Sequence, residues 1–471
     1  MSRVRVVANG LRSMPAPLWG CALLVLTGAM LWFRHGPWRP AVWYGDDLIN
    51  FLAHVDGNYA AGPWHAVSSA FLLKYRPIFA LFIEACFDAF DTRLTGYFAL
   101  GLLLHGVGAL LFSRIVWLIS GRRAGLSALA ALAFASSRFG LYQVTQVTGL
   151  VEGLALVQAL GILVLVLDQG DGSPLSMPKT ALLFSLVFGV VHTHERYAVF
   201  LFWLVAFLWL WPELRPLPRL RLTAFLVLVL AWNAWMRVHV LDMPYFMGTG
   251  GKVMAFSPAS FFDRLTQGVL SITGLHSGPS YLSAWPFYRM GMPAVLACHL
   301  TFLAFWVGTL IALPQLFIQR RCADVRQLAV RLLLLALLLG MLLAPAAATQ
   351  RMEHRWLMFP QLLVWMMLAV CIEAARPVSF QRKLLWWSVS MLSANIIVDQ
   401  VVSTRFGNLY FVYSEQAARQ VVNDYREGKL PSSGVIHLQL SPDHCNWSLS
   451  SGDIFRIYAG HKIEVACDPV P

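Results

Sequence analysis

The sequence predicts an all-α polytopic membrane protein of about eleven transmembrane helices with a small α/β segment at its C-terminus. Three observations lead there. The 471 residues are 58% hydrophobic and only 13% charged, where an ordinary soluble domain carries roughly 25% charge. Apolar runs recur along the chain at the length of about 20 residues that a helix needs to cross ~30 Å of hydrocarbon. The basic residues between those runs fall on alternate connections, as the positive-inside rule requires.

The expected spans cover approximately 16–33, 95–119, 123–139, 148–167, 180–194, 197–212, 222–240, 291–316, 332–348, 356–375 and 384–402. With Arg3, Arg5 and Arg12 inside, the later inner connections carry Arg122 and Arg123, Lys179, then Arg215, Arg219 and Arg221. Arg320, Arg321, Arg326 and Arg331 follow, and last Arg376, Arg382 and Lys383. Residues 1–402 therefore read as one transmembrane domain. An odd number of spans puts residues 403–471 on the opposite, extracytoplasmic side. That segment combines a polar helix pattern (SEQAARQVVNDYREGK), a turn at Pro431 to Gly434, and the strand-like runs GVIHLQL and HKIEVA.

The net charge of +12 is spread singly between apolar runs, which marks topology rather than a nucleic-acid surface. Eighteen Trp, thirty Phe and thirteen Tyr suit membrane interfaces. Seven cysteines lack CxxC spacing, so no cysteine metal site is expected. Cys445 and Cys467 either form a disulfide in an oxidising compartment or stand as two free thiols.

Two outer connections are long. Residues 34–94 contain two helical stretches, DLINFLAHV and RPIFALFIEACFDAF, the second short enough to lie at the interface. Residues 241–290 are rich in Gly, Pro, Ser and aromatics, a length and composition that point to function.

Four polar clusters fall on this outer side. Asp46 and Asp47 follow the first helix; adjacent acids repel, which raises one pKa and leaves a base or cation ligand, although Asp here also suits a helix cap. In KYRP, Arg76 is an anion clamp or a snorkelling headgroup contact. HTHER, from His192 to Arg196, sets five polar residues between two apolar spans, where ionisable groups are costly and tend to be functional. His192 and His194 lack a third ligand fixed by spacing, so hydrogen-bonding roles are preferred. In QRMEHRWLMFP, Arg351 and Arg355 lie four apart and share a helical face, an arrangement suited to phosphate.

These residues carry a resemblance to the GT-C superfamily of polytopic glycosyltransferases that use polyprenyl-phosphate-linked sugars. The bacterial relatives of protein O-mannosyltransferases and the lipid A aminoarabinose transferases are particularly similar. The points of match are Asp46 and Asp47, Tyr75 to Pro77, LLLHGVGALLF with His105, HERYAVF with Glu195 and Arg196, and EHRWLMFP. Two positions depart: the acid pair is Asp-Asp rather than Asp-Glu, and His194 stands where a lysine is usual.

The resemblance implies an inverting hexosyl- or pentosyltransferase of the bacterial inner membrane with its site facing the periplasm or exterior. The donor is a polyprenyl-phosphate sugar and the acceptor a lipid, glycan or protein. Asp46 is then the general base, with Asp47 and Glu195 orienting the acceptor or holding an optional divalent cation. Arg76, Arg351 and Arg355 face the donor phosphate, and Tyr75, His192, His194 and Arg196 help to orient the acceptor. A transporter or flippase, or an O-antigen polymerase or ligase, is the alternative; the first favours ionisable residues at the bilayer midplane, the second relies on Arg and His rather than an acid pair.

Overall fold

The computed structural model describes residues 16–57, 74–168, 176–211, 219–243, 257–276, 292–318, 322–349, 352–375, 381–383, 385–390, 393, 396, 410–440, 445 and 447–468. Helix α1 (Ala16–His35) leads through a short turn to α2 (Gly45–Val55) and α3 (Pro77–Phe90). Then come α4 (Leu94–Ile119), α5 (Ala124–Ser136), a 3-10 turn at Arg138–Gly140 running into α6 (Leu141–Thr145), and α7 (Leu150–Leu167). Helices α8 (Met177–Thr193), α9 (Ala198–Leu210) and α10 (Arg219–Trp235) are followed by α11 (Pro258–Ile272), which lies within the second long connection. Helices α12 (Met292–Ile318), α13 (Cys322–Ala347) and α14 (Met358–Ala374) complete the apolar part.

Five helical stretches are long and apolar enough to cross a membrane: Leu94–Ile119, Leu150–Leu167, Arg219–Val240, Asp324–Ala347 and His354–Ala374. A sixth results if α5 and Arg138–Thr145, bent by 49°, count as one broken span. The expected eleven are therefore not reached by length and composition among the described residues. At 1.5 Å per residue, the 13 residues of α9 extend only about 20 Å, and the expected 384–402 span lies largely outside the described residues. The outward faces are nonetheless apolar. Leu24, Val25, Trp32 and Phe33 of α1, Leu220, Val227 and Leu228 of α10, and Leu333 of α13 are all exposed. An apolar exterior on this scale is suited to lipid, not water.

Helix α14 is the axis of the bundle: 89% of its apolar window is buried, against 28% for α13 beside it. It packs with α4, α5, α9 and α13 in one continuous core. Inside that core the Trp203 indole N–H donates to the Leu334 carbonyl at 2.6 Å, so the one polar atom of a fully buried ring is satisfied.

A second core lies on top of the first. Trp43, Leu48, Phe51, Phe79, Ile83 and Phe87 of the first long connection pack with Ala418, Val422, Ile436, Leu449 and Phe455 of the C-terminal segment. That segment is α15 (Tyr410–Arg426), β1 (Val435–Gln439), the short α16 (Trp447–Ser450) and α17 (Ile454–Tyr458), and β2 (Glu464–Asp468). The two strands pair in parallel, Val435 opposite Glu464 and Gln439 opposite Asp468. A parallel pair requires a crossover, here made by α16 and α17. Cys445 and Cys467 are joined in a disulfide, Cα to Cα 6.3 Å, which closes this crossover on itself.

The break after α5 is held by side chains from two other helices. The last carbonyls of α5 lose their helical partners where the chain turns at Ser137. Arg34 Nε–H donates to the Ser136 carbonyl at 3.0 Å, His35 Nε2–H to that of Ala135 at 3.1 Å, and His105 Nε2–H to that of Phe134 at 3.2 Å. Ser137 Oγ accepts the Phe139 N–H and donates to Gln361 Oε1 at 2.9 Å. Gly140 is needed because a Cβ there would run into the His105 ring. Gly140→Ala is expected to displace that ring and destabilise the protein by about 1–3 kcal/mol, read as a lowered melting temperature in detergent; an unchanged melting temperature would show that His105 has room to move.

Candidate active site

Asp46 and Asp47 open α2, where Gly45 adopts a left-handed φ of 62° that lets the chain turn sharply from Tyr44 into the helix. A rotation of about 100° along the helix separates the fates of two adjacent acids. Asp47 is buried and accepts three bonds: Val147 N–H at 2.8 Å, Thr148 N–H at 2.7 Å and Thr148 Oγ1–H at 2.8 Å. It ties the first long connection to the turn between α6 and α7. Burial lifts its carboxyl against the pull of those donors, to about 6. Asp46 is exposed and lies close enough to act electrostatically on Arg355 and Tyr142.

Glu152, in the first turn of α7, is the buried hub of an ion-pair network. His194 Nε2–H donates to it at 3.1 Å, Arg196 Nη1 lies 3.6 Å away and Arg355 Nε 3.8 Å away. Arg355 also pairs with Glu353 at 2.5 Å and stacks over the Tyr142 ring, 4.2 Å from its centroid. Arg196 covers the Trp356 ring at 3.4 Å. His194 accepts the Arg196 N–H on Nδ1 at 3.3 Å, which fixes the neutral tautomer with its proton on Nε2.

Glu195 forms the adjoining part of the site. Arg76 clamps it through Nε at 2.7 Å and Nη2 at 2.9 Å, and Lys74 Nζ lies 3.7 Å away. Burial alone would raise Glu195, but Arg76, with Lys74, holds it well below the usual carboxylate range. Lys74 is itself lowered, burial outweighing the attraction of Glu195. In this network four cations (Lys74, Arg76, Arg196, Arg355) meet three carboxylates (Glu152, Glu195, Glu353).

The structure thus brings together Asp46, Asp47, Arg76, His194, Glu195, Arg196 and Arg355. Tyr75 and His192 lie at its margin, edge to face at 5.7 Å, with His192 Nδ1–H given to the Phe188 carbonyl at 2.7 Å. Arg351 lies outside the described residues. A cation held between Asp47 and Glu195 does not fit this arrangement. The oxygens of both carboxylates already accept N–H or O–H donors. Among the described residues no three His, Cys, Asp or Glu side chains are grouped to hold a metal ion.

Sequence reasoning passed over Glu152, Lys74 and Tyr142 as site residues. Glu152 had a signal, since it is an acid in the apolar run LVEGLALVQALGILVLVL and such acids seldom stand without partners. Tyr142 had none.

No known family model matches the chain, and no curated protein matches its sequence. Among solved structures it is similar to ArnT from Cupriavidus metallidurans. Against the apo state the TM-score is 0.47 at 13% identity, covering 98% of this chain and 86% of that one. Against the form bound to undecaprenyl phosphate the TM-score is 0.45 at 12% identity, covering 95% and 85%.

Replacing Glu152 by Gln keeps an acceptor for His194 but leaves Arg196 and Arg355 facing no charge at that point. Removing one partner of a buried ion pair costs about 3–5 kcal/mol, so thermal unfolding in nanodiscs should show a loss of that order, and a loss below about 1 kcal/mol would demote Glu152 from the hub.

Asp47 gives a pH dependence of opposite sign to an ordinary paired acid. Its folded value of about 6 exceeds its ordinary 3.8, so its contribution to stability is fully present below about 3.8 and is lost as pH rises through about 6. On the order of 1 kcal/mol of that loss falls between pH 5 and 7. Melting curves at the two pH values should show the wild type losing more stability than Asp47→Asn, whose curve lacks this component; equal losses would mean that Asp47 is ionised throughout.

Proposed function

We propose that the protein is an inverting glycosyltransferase that moves a sugar from a polyprenyl-phosphate donor to a hydroxyl or amine acceptor at the outer face of the bacterial inner membrane. The observation that carries this reading is the exposed carboxylate of Asp46 within electrostatic reach of Arg355, a cation that Glu353, Glu152 and the Tyr142 face hold in place. A general base must reach the proton it removes, and a developing phosphate charge needs cations already in position. Asp46 supports the first and Arg355 the second. The apolar exterior supports a donor presented from the membrane, and the shared core of the first long connection and the C-terminal segment supports one face for both.

In this mechanism Asp46 takes the acceptor's proton and the freed electron pair attacks the anomeric carbon from the side opposite the phosphate. The bond from that carbon to the phosphate oxygen breaks, its electrons stay on the oxygen, and the polyprenyl phosphate leaves. Arg355, with Arg351, meets that charge. Arg76 contributes through Nη1 and Lys74 through Nζ, while Glu195 keeps both in place. His194, neutral, and Arg196 hold Glu152 and with it the orientation of Arg355. Asp47 acts by fixing the α6–α7 turn rather than by touching the acceptor.

Asp46→Asn keeps size and removes the base, a loss of roughly 100-fold or more in rate, with the fold and donor retention intact. Arg355→Ala should weaken donor binding about tenfold to a hundredfold, the worth of a charge-assisted contact. Purified protein in nanodiscs, given polyprenyl-phosphate hexoses and pentoses, separates the two when donor binding and product are measured independently. Turnover of Asp46→Asn at the wild-type rate would remove the base from Asp46.

A further inference from the structure

The end of the bundle remote from Asp46 carries a cluster of charge that the proposed mechanism does not use. Helix α4 starts in the second core with Leu94 and, at 1.5 Å per residue, has run about 35 Å when it reaches Trp117. Helices α7 and α14, which begin near Glu152 and Arg355, reach the same end with Asp168 and Glu373.

One indole there is approached by two guanidinium groups. Arg114 Cζ lies 4.2 Å and Arg122 Cζ 5.3 Å from the Trp117 centroid, both within cation–π range. Arg122 arrives by a tight turn after α4. Gly121 and Arg122 both take left-handed φ, 67° and 64°, and the Arg122 N–H donates to the Trp117 carbonyl at 2.8 Å. A residue with a Cβ seldom adopts that φ, so the backbone is held in a disfavoured conformation with the Arg122 guanidinium beside the ring. Arg123 follows directly, and Arg122 is exposed.

The acids nearby are already engaged. Asp168 accepts from Arg114 at 2.5 Å, and Glu373, although it lies beside Gly121, pairs with Arg331 at 3.1 Å. Arg122 and Arg123 have no carboxylate partner among the described residues. Two adjacent cations repel, and an anion that touches both relieves the repulsion. The surroundings decide which anion. At this end Trp209 and Leu210 of α9 and Leu220 of α10 are exposed, and Arg219 lies over the Trp209 ring at 5.9 Å. Exposed indoles among guanidinium groups mark the headgroup level of a bilayer, where the anions at hand are lipid phosphates, which guanidinium forks fit.

We propose that Arg122, Arg123 and the Trp117 face form a binding site for the phosphate of an anionic phospholipid, at the opposite end of the bundle from the transfer site. The proposal is independent of the glycosyltransferase reading and stands or falls on lipid binding alone.

Full-length protein in a neutral detergent is titrated with dioleoyl phosphatidylglycerol and, separately, dioleoyl phosphatidylcholine, and bound lipid is counted by native mass spectrometry. The wild type is expected to take phosphatidylglycerol about tenfold or more tightly, the effect of two arginines at a membrane surface. The Arg122→Gln, Arg123→Gln double variant should lose most of that preference while keeping its phosphatidylcholine binding and its melting temperature in detergent. Arg419→Gln, an exposed arginine on the C-terminal segment, serves as the control and should keep the preference in full. Equal binding of the two lipids by the wild type overturns the proposal, and this comparison needs no variant to fold. An unchanged preference in the double variant overturns it as well, as does an equal loss in Arg419→Gln, which would reduce the effect to net charge. Displacement of phosphatidylglycerol by an equal concentration of inorganic phosphate would also overturn it, since the site would then take free phosphate rather than lipid.

Discussion

A helix that breaks inside an apolar bundle must find partners for the carbonyls it releases, and the whole site depends on how this is done after Ser136. In hydrocarbon each unsatisfied backbone group is costly enough that irregular backbone survives only where protein encloses it. Arg34, His35 and His105 enclose it here, reaching in from α1 and α4. With the carbonyls met, the chain is able to bend by 49° and carry Arg138–Thr145 across the bundle. That detour delivers Tyr142 to Arg355, the Val147 and Thr148 donors to Asp47, and the start of α7 with Glu152 to His194.

The buried and half-buried charges beyond the break follow the same logic in electrostatic form. Isolated, none of Glu152, Glu195, Arg196 or Arg355 would tolerate so little water. Arranged so that each carboxylate meets more than one cation, or a cation and a neutral imidazole, they remain charged and fixed. Such a network contributes little net stability against a well-packed apolar alternative. What it provides is preorganisation, since cations already held in position need no reorganisation when negative charge develops beside them. His194 fits this role as a neutral donor: a second positive charge there would compete with Arg76 for Glu195.

The C-terminal segment is joined to this machinery through a core of its own. Its helix and strands bury apolar side chains against α2 and α3 rather than projecting away from them, and the Cys445–Cys467 disulfide braces the crossover between its strands. Because Asp46 starts α2 and Arg419 stands on α15, the segment and the acid pair share one face of the protein.

Membrane character, the approximate positions of most helices, the α/β make-up of the C-terminal segment and several of the charges that meet in the candidate site were legible in the sequence. These follow from composition and local periodicity, and from the high cost of ionisable groups near lipid, which makes motifs such as HTHER and EHRWLMFP stand out among apolar runs. The division of labour between Asp46 and Asp47 was not legible, because it is decided by Val147 and Thr148, about a hundred residues away. Nor was the pairing of Arg76 with Glu195, separated by 119 residues, which fixes the guanidinium through Nε and Nη2. Sequence determined which groups must find partners in a medium without water; only the tertiary structure decided which partners they found, because hydrogen bonds and ion pairs depend on distances of a few ångströms that the order of residues does not contain.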